Sequence, residues 1–298
     1  MVETLQKVAL FGASGHLGQP LLPALLAANF EVTVVVRESG KQTRYPPQAN
    51  IIKISDAYTK PELLTALQNQ DAVIIAFNHS ANAAHHRTII DAAAEAGVKH
   101  LIPNHWSSNA ELPIVRSSSE RQEALDSDID YLSSTHSASN MIWTAIVTGI
   151  FFDLAFPFGL LGFNLKGQTA EIWDSGDATF SASTNEDIAK ARSRCCANQR
   201  SQNQLLALAE NVSGTKWEVK HVTSEEKIKG AEEVIKSGAQ GMPWMIAQGT
   251  LAASALFGGD EFQADFEKHG RSSNKPLGLE GGNVEAAVRR FVSPSRRV

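Results

Sequence analysis

The stretch Val8-Ala-Leu-Phe-Gly-Ala-Ser-Gly-His-Leu-Gly18 constrains this chain more than any other. A short apolar run of β type, Val8 to Phe11, leads into three glycines and then into helix-forming sequence. Gly12 permits a tight turn, Gly15 lets the backbone approach a phosphate, and Gly18 lets the following helix pack close to the strand. Leu21, Leu22, Leu25 and Leu26 then recur at helical spacing, so the motif has the strand before it and the helix after it that it requires. This order places a dinucleotide pyrophosphate on a helix N-terminus. The residues expected against the cofactor are Gly12, Ala13, Ser14, Gly15, His16, Leu17 and Gly18.

The next strand, Glu31 to Val36, is rich in β-branched residues, as a buried parallel strand should be. An acidic residue at its end would accept from a ribose 2′-hydroxyl. This chain has Arg37 there, with Lys41 and Arg44 close behind. A guanidinium pairs with a 2′-phosphate through charge-assisted hydrogen bonds, so NADP(H) is expected over NAD(H). Glu38 is the rival, because turned inward it would restore NAD binding.

Strands and helices then alternate. Ile51–Ile54 reads as a third strand and Thr59 to Gln68 as a helix with Pro61 in its first turn. Asp71–Phe77 is a fourth strand, His85–Ala96 a helix stopped by Gly97, and Val98–Pro103 a fifth strand. Ser117–Leu125 reads as a helix and Ile129–Ser134 as a sixth strand. The expected fold is α/β, a Rossmann-type doubly wound parallel sheet with a smaller C-terminal substrate lobe. Residues 1–149 form the expected NADP-binding domain, with the sheet completed by about 171–200. The stretches 150–170 and 205–298 form the expected substrate lobe. Phe77 and Asn78, at the end of the fourth strand, are expected to contact the cofactor.

Composition fits an enzyme of small molecules. The chain has 298 residues, 43% of them hydrophobic, and a net charge of −5, which gives no reason to expect a nucleic acid or an anionic membrane as partner. The first strand begins by Val8, which leaves no room for a signal peptide. Cys195 and Cys196 are adjacent in a helical pattern and poor disulfide partners, in keeping with a reducing, cytoplasmic setting. The apolar run Ile146–Phe163 is broken by Asp153, Pro157 and glycines and reads as a buried segment. Its aromatics Phe151, Phe152, Phe156, Phe158 and Phe163 suit either core packing or an apolar pocket. Neither the histidine spacing nor any short motif suggests a metal site. Nothing fixes the oligomeric state.

Taken in order, Gly12–Gly18, Val32–Ser39, Asp56–Ile74, Ile89–Asn104 and Thr148–Asp153 resemble the NmrA-like, isoflavone-reductase-like group of atypical short-chain dehydrogenases, including fungal aromatic-alcohol-reductase-like members. Ala178–Ala191 carries a fainter likeness. The resemblance implies a Rossmann domain, NADP(H), and hydride transfer to an apolar, aromatic or polyketide-like metabolite. It carries Gly12–Gly18 and Arg37 over as cofactor contacts, with Arg44 a looser match for a second basic residue.

The chain departs from that family at its chemistry. The family's loop after the fifth strand resembles Pro-Ser-Glu-Phe-Gly, whereas here it reads Pro103-Asn104-His105-Trp106-Ser107. The lysine that family reductases use in the next helix is missing, since no lysine occurs between Lys99 and Lys166. None of Tyr45, Tyr58 and Tyr131 has a lysine four residues later. His105 is the expected replacement as proton donor and His136 the second choice, because imidazole titrates near neutrality. Arg116 is a poor acid, and Ser117, Ser118 and Ser119 suit a helix N-cap. Besides a reductase, the pattern admits a non-redox isomerase, dehydratase or cyclase, or a nucleotide-sensing regulator.

Overall fold

The computed structural model describes residues 5–40, 43–77, 83–106, 120–135, 140–190, 198–257, 262–270 and 284–293. The chain forms two compact units, Met1–Trp106 with Ala124–Ile146, and Ser107–Glu123 with Val147–Val298.

The first unit is built in chain order from β1 (Lys7–Phe11), α1 (Gly18–Ala27), β2 (Glu31–Arg37), β3 (Asn50–Ile54), α2 (Lys60–Leu67), β4 (Ala72–Ile75), α3 (Ala83–Glu95), β5 (His100–Ile102), α4 (Glu120–Thr135) and β6 (Ile142–Trp143). Its six strands lie in the order β3-β2-β1-β4-β5-β6. Every pairing is parallel, with Leu10 beside Val34 on one side and Ile74 on the other. This is the doubly wound Rossmann order, which reverses direction between β1 and β4. The strands β1, β2 and β4 are nearly continuous apolar runs because they lie in the middle of the sheet, away from water. Leu63 and Leu67 of α2, Ile89 and Ala93 of α3, and Leu132 of α4 join Phe11, Ile75 and Leu101 in one core. Asn29 and Asn69 follow α1 and α2 in the left-handed conformation that ends a helix.

One sequence expectation fails here. Ile129–Ser134 is the second half of α4, and the sixth strand is Ile142–Trp143. Leu125 and Leu132 are both buried seven residues apart, a helical repeat that brings them to one face. Ser133 and Ser134 turn their hydroxyls onto the carbonyls of Ile129 and Asp130 within the helix.

The second unit contains β7 (Ile150–Phe151), α5 (Phe152–Ala155), β8 (Phe163–Asn164), β9 (Thr169–Trp173), β10 (Phe180–Ser183), α6 (Asn185–Lys190), β11 (Asn198–Arg200), α7 (Gln202–Ser213), β12 (Glu218–Val222), α8 (Ser224–Lys236), α9 (Met242–Phe257) and α10 (Val284–Val292). Its strands form two three-stranded sheets, β11-β10-β7 and β12-β9-β8. The stretch 171–200 therefore does not complete the large sheet; its strands β9, β10 and β11 pair within this unit. Phe152, Phe156 and Phe163 are fully buried, with Phe152 stacked on Phe156 and Phe163 tilted against it, while Phe158 is 75% exposed. Core packing accounts for the first three. Reciprocal capping boxes start α7 at Ser201 with Gln204 and α8 at Thr223 with Glu226. Cys195 and Cys196 lie outside the described residues. No helix among the described residues is long and apolar enough to cross a membrane.

Candidate functional site

Parallel strands bring their carboxyl ends to one edge of the sheet, and the residues following β1, β2, β4 and β5 therefore gather there. The turn after β1 meets the demands read from its glycines. Gly12 has φ +84°, and a Cβ on it would come within 2.6 Å of the Ala76 carbonyl oxygen. A Cβ on Gly18 would fall 2.1 Å from the Gly12 oxygen and 2.5 Å from Ala13 Cα. That closeness seats α1 directly on the turn. Gly15 N–H donates to the Gly12 carbonyl at 2.9 Å and closes the loop. Ala13 and Leu17 are buried beneath it, while Ser14 and His16 face outward. Partial burial holds the His16 ring below its ordinary pKa. No side chain caps the start of α1; the Gln19 N–H donates to Gly15 O, and the positive end of the helix dipole faces the turn. The cradle fits a pyrophosphate.

Arg37 closes β2 half-exposed, with its Nη1 3.7 Å from Asp56 Oδ1. The Ser39 hydroxyl and amide both donate to the same Asp56 carboxylate and, with Arg37, hold it below the usual carboxylate range. Glu38 presents an exposed side chain and donates its backbone N–H to Ile54. Arg44 is exposed ahead of β3. Phe77 follows β4 with its Cβ 2.9 Å from where a Gly12 Cβ would stand, and its ring meets those of Tyr58 and His86. Asn78 lies outside the described residues.

After β5 the chain turns tightly, with the His105 N–H donating to Pro103 O at 2.7 Å. Trp106 is drawn inward and donates Nε1–H to Ile75 O at 2.8 Å. His105 is 1% exposed, and its Nε2 lies 2.7 Å from Oδ1 of the fully buried Asp126 on α4. With a carboxylate oxygen as its partner, Nε2 is the nitrogen that donates. Among the described residues Nδ1 has no hydrogen-bond partner. A carboxylate fixes the ring through one nitrogen and leaves the other buried without a partner among the described residues.

A second buried pair lies alongside. His86 Nδ1 meets Asp128 Oδ2 at 2.9 Å, and its Nε2 lies 3.4 Å from Asn104 Nδ2. The sequence reading missed Asp126, Asp128 and His86. A helical repeat through Leu125 and Leu132 would have carried both aspartates into a buried helix, but the assignment of Ile129–Ser134 to a strand hid it. His136 follows α4 rather than a sixth strand and lies outside the described residues, as do Arg116 and Ser117–Ser119. Among the described residues, no group of three or more His, Cys, Asp or Glu side chains gathers as metal ligands would.

Fold and glycine turn together define an NAD(P)H-binding protein of the Rossmann type. The NAD(P)H-binding family profile matches residues 12–146. The chain is 30% identical over 303 residues to the oxidoreductase aprR of Aspergillus flavus, spanning 95% of this chain and 97% of that protein. It is 27% identical over 284 residues to the oxidoreductase poxI of Penicillium oxalicum, spanning 89% and 87%. Among solved structures, one described as pinoresinol-lariciresinol and phenylcoumaran benzylic ether reductases superposes with a TM-score of 0.75 at 15% identity, covering 97% of this chain and all of that one. The complex of leucoanthocyanidin reductase with NADPH from Vitis vinifera superposes with a TM-score of 0.73 at 14% identity, covering 96% and 99%. This chain belongs to the NmrA-like, isoflavone-reductase-like family of NAD(P)H-binding oxidoreductases.

Proposed function

We propose that the protein is an NADPH-dependent reductase of a small, largely apolar, aromatic or polyketide-like molecule, in which His105, oriented by Asp126, stands in for the family's lysine. The observation that carries this reading is the buried contact of 2.7 Å between His105 Nε2 and Asp126 Oδ1, with Nδ1 left without a partner among the described residues. The names of aprR and poxI, both oxidoreductases, agree with a redox role.

In this reading bound NADPH supplies a hydride to a carbon of the substrate. The chain does the rest. Backbone N–H groups of the Gly12–Gly18 turn hold the pyrophosphate, and Arg37 pairs with the 2′-phosphate. The carboxylate of Asp126 stabilises a doubly protonated His105 and fixes its ring plane. Nδ1 then gives its proton to the substrate atom that gains electron density as the hydride arrives, and a proton from solvent restores the ring.

A panel of aromatic ketones and enones, screened for NADPH consumption, tests the proposal together with His105→Gln. The substitution should lower turnover by about a hundredfold or more while NADPH affinity, read from tryptophan fluorescence, stays within about twofold. Undiminished turnover in His105→Gln would remove His105 from the mechanism. Failure of NADPH to bind the wild-type protein would sink the reductase reading as a whole.

A further inference from the structure

Strand register sets a carboxylate beside the arginine that ends β2. Arg37 pairs across the sheet with Ile54, so the residues two places further on, Ser39 and Asp56, face each other beyond the same edge. There the Ser39 amide donates to Asp56 Oδ2 at 3.2 Å and its hydroxyl donates to Oδ1. These bonds attach the carboxylate to the loop that carries Arg37. The Glu38 N–H to Ile54 O bond of 2.9 Å ties the two chain segments together between them.

The contact between the charges is loose, at 3.7 Å, with Arg37 42% and Asp56 45% exposed. A pair of that kind is weakly held and opens readily for a stronger partner. A phosphate dianion, bound to the planar fork of the guanidinium through short charge-assisted bonds, is such a partner. Asp56, however, is held in place by Ser39 and does not leave when the pair opens. An arriving 2′-phosphate must therefore take Arg37 from a carboxylate that stays within its reach. NADH, with a hydroxyl at that position, does not meet that cost.

We infer that Asp56 is a cofactor-selectivity residue: its carboxylate competes with the 2′-phosphate for Arg37 and lowers NADPH affinity without affecting NADH affinity. The hydrogen bond from the Ser39 hydroxyl that holds the carboxylate in place also favours its ionised form. This inference rests on the reading of Arg37 as the 2′-phosphate ligand. It extends that reading by explaining why an NADPH site here would be held below its full strength.

Asp56→Asn tests it, because the amide keeps an oxygen for the Ser39 N–H, and its own NH₂ can donate to the Ser39 oxygen. Dissociation constants for NADPH, NADH and 2′-AMP, measured by calorimetry on the full chain, require no turnover. Asp56→Asn should tighten NADPH and 2′-AMP by about two- to fivefold and leave NADH unchanged, the range expected for removing one half-exposed charge from a pair. In the Arg37→Ala background the same substitution should produce no gain, since nothing remains to compete for. A gain that persists without Arg37 would overturn the competition and leave direct repulsion instead. Weaker NADPH binding in Asp56→Asn would show that Asp56 orients Arg37, and equal weakening of NADPH and NADH would place Asp56 on the shared adenosine; either overturns the inference. If Arg37→Ala alone fails to weaken NADPH relative to NADH, the fault lies with the underlying reading of Arg37.

Discussion

His105 Nε2 sits 2.7 Å from Asp126 Oδ1, and both side chains are out of water. The two residues are twenty-one positions apart, one on the turn after β5 and the other on α4. A buried carboxylate needs a partner, and a buried imidazole needs its tautomer chosen. Each residue meets the need of the other.

Asp126→Asn puts this relationship to the test. An amide can face Nε2 with its NH₂ group, which reverses the resting tautomer and removes the carboxylate that stabilises the doubly protonated ring. Turnover should fall by about a hundredfold or more with KM little changed. Nitrogen NMR of the imidazole should show the proton moving from Nε2 to Nδ1 in the resting protein. An unaltered tautomer with unaltered turnover would reduce the pair to a packing element.

Arg37→Ala should weaken NADPH binding by about 1.5–3 kcal/mol, the worth of a hydrogen bond to a charged group. That corresponds to roughly ten- to a hundred-and-fifty-fold in dissociation constant. NADH binding should not change. Titration of tryptophan fluorescence with each nucleotide measures both, and parallel weakening would refute the role.

The two glycines Gly18 and Gly214 should respond to alanine very differently. Gly18 has no room, since its Cβ would lie 2.1 Å from a backbone oxygen, so Gly18→Ala should cost more than about 3 kcal/mol and abolish NADPH binding. Gly214 ends α7 at φ +69° with nothing within 4 Å of the new Cβ, so Gly214→Ala should cost only about 1–2 kcal/mol for the left-handed backbone. Chemical denaturation of both variants gives the comparison. Similar losses would show that backbone conformation, not contact, governs the turn.

Acid stability should depend in part on Glu62. Hydrogen bonds from the Ser55 and Thr59 hydroxyls push its carboxyl from 4.5 down to about 2 in the folded protein. A depressed carboxyl stabilises the fold above its unfolded value and ceases to do so as pH falls through the folded value. The stability gap between wild type and Glu62→Gln should therefore be full above pH 4.5 and close as pH approaches about 2. Denaturation midpoints across that range decide it. A gap that does not vary with pH would show that the hydrogen bonds, and not the charge, matter.

Much of the first unit was legible because its signals are local. The apolar run of β1, the three glycines and the leucine repeat of α1 are contiguous, and β2 announces itself by four valines within six residues. Pro61 and Gly97 mark where helices begin and end. The misreading of Ile129–Ser134 came from a single β-branched residue and a tyrosine in a short window, where alternation and helical repeat are hard to tell apart. The short strands of the second unit carry little periodicity, and pairings such as Thr169–Trp173 with Glu218–Val222 join segments far apart in the chain.

By itself the sequence determined the doubly wound sheet, the dinucleotide turn at Gly12–Gly18, the arginine at the end of β2 and the absence of any lysine between Lys99 and Lys166. Each rests on residues adjacent in the chain or on a fixed spacing, and local sterics and periodicity act at that range. Only the tertiary structure decided that Asp126 meets His105 in a buried contact, that Asp56 stands against Arg37, and that β9, β10 and β11 build sheets of their own. Those outcomes depend on which distant segments share a buried space or a strand register. Burial requires polar groups to find partners wherever the fold brings them, and no local pattern names the partner in advance.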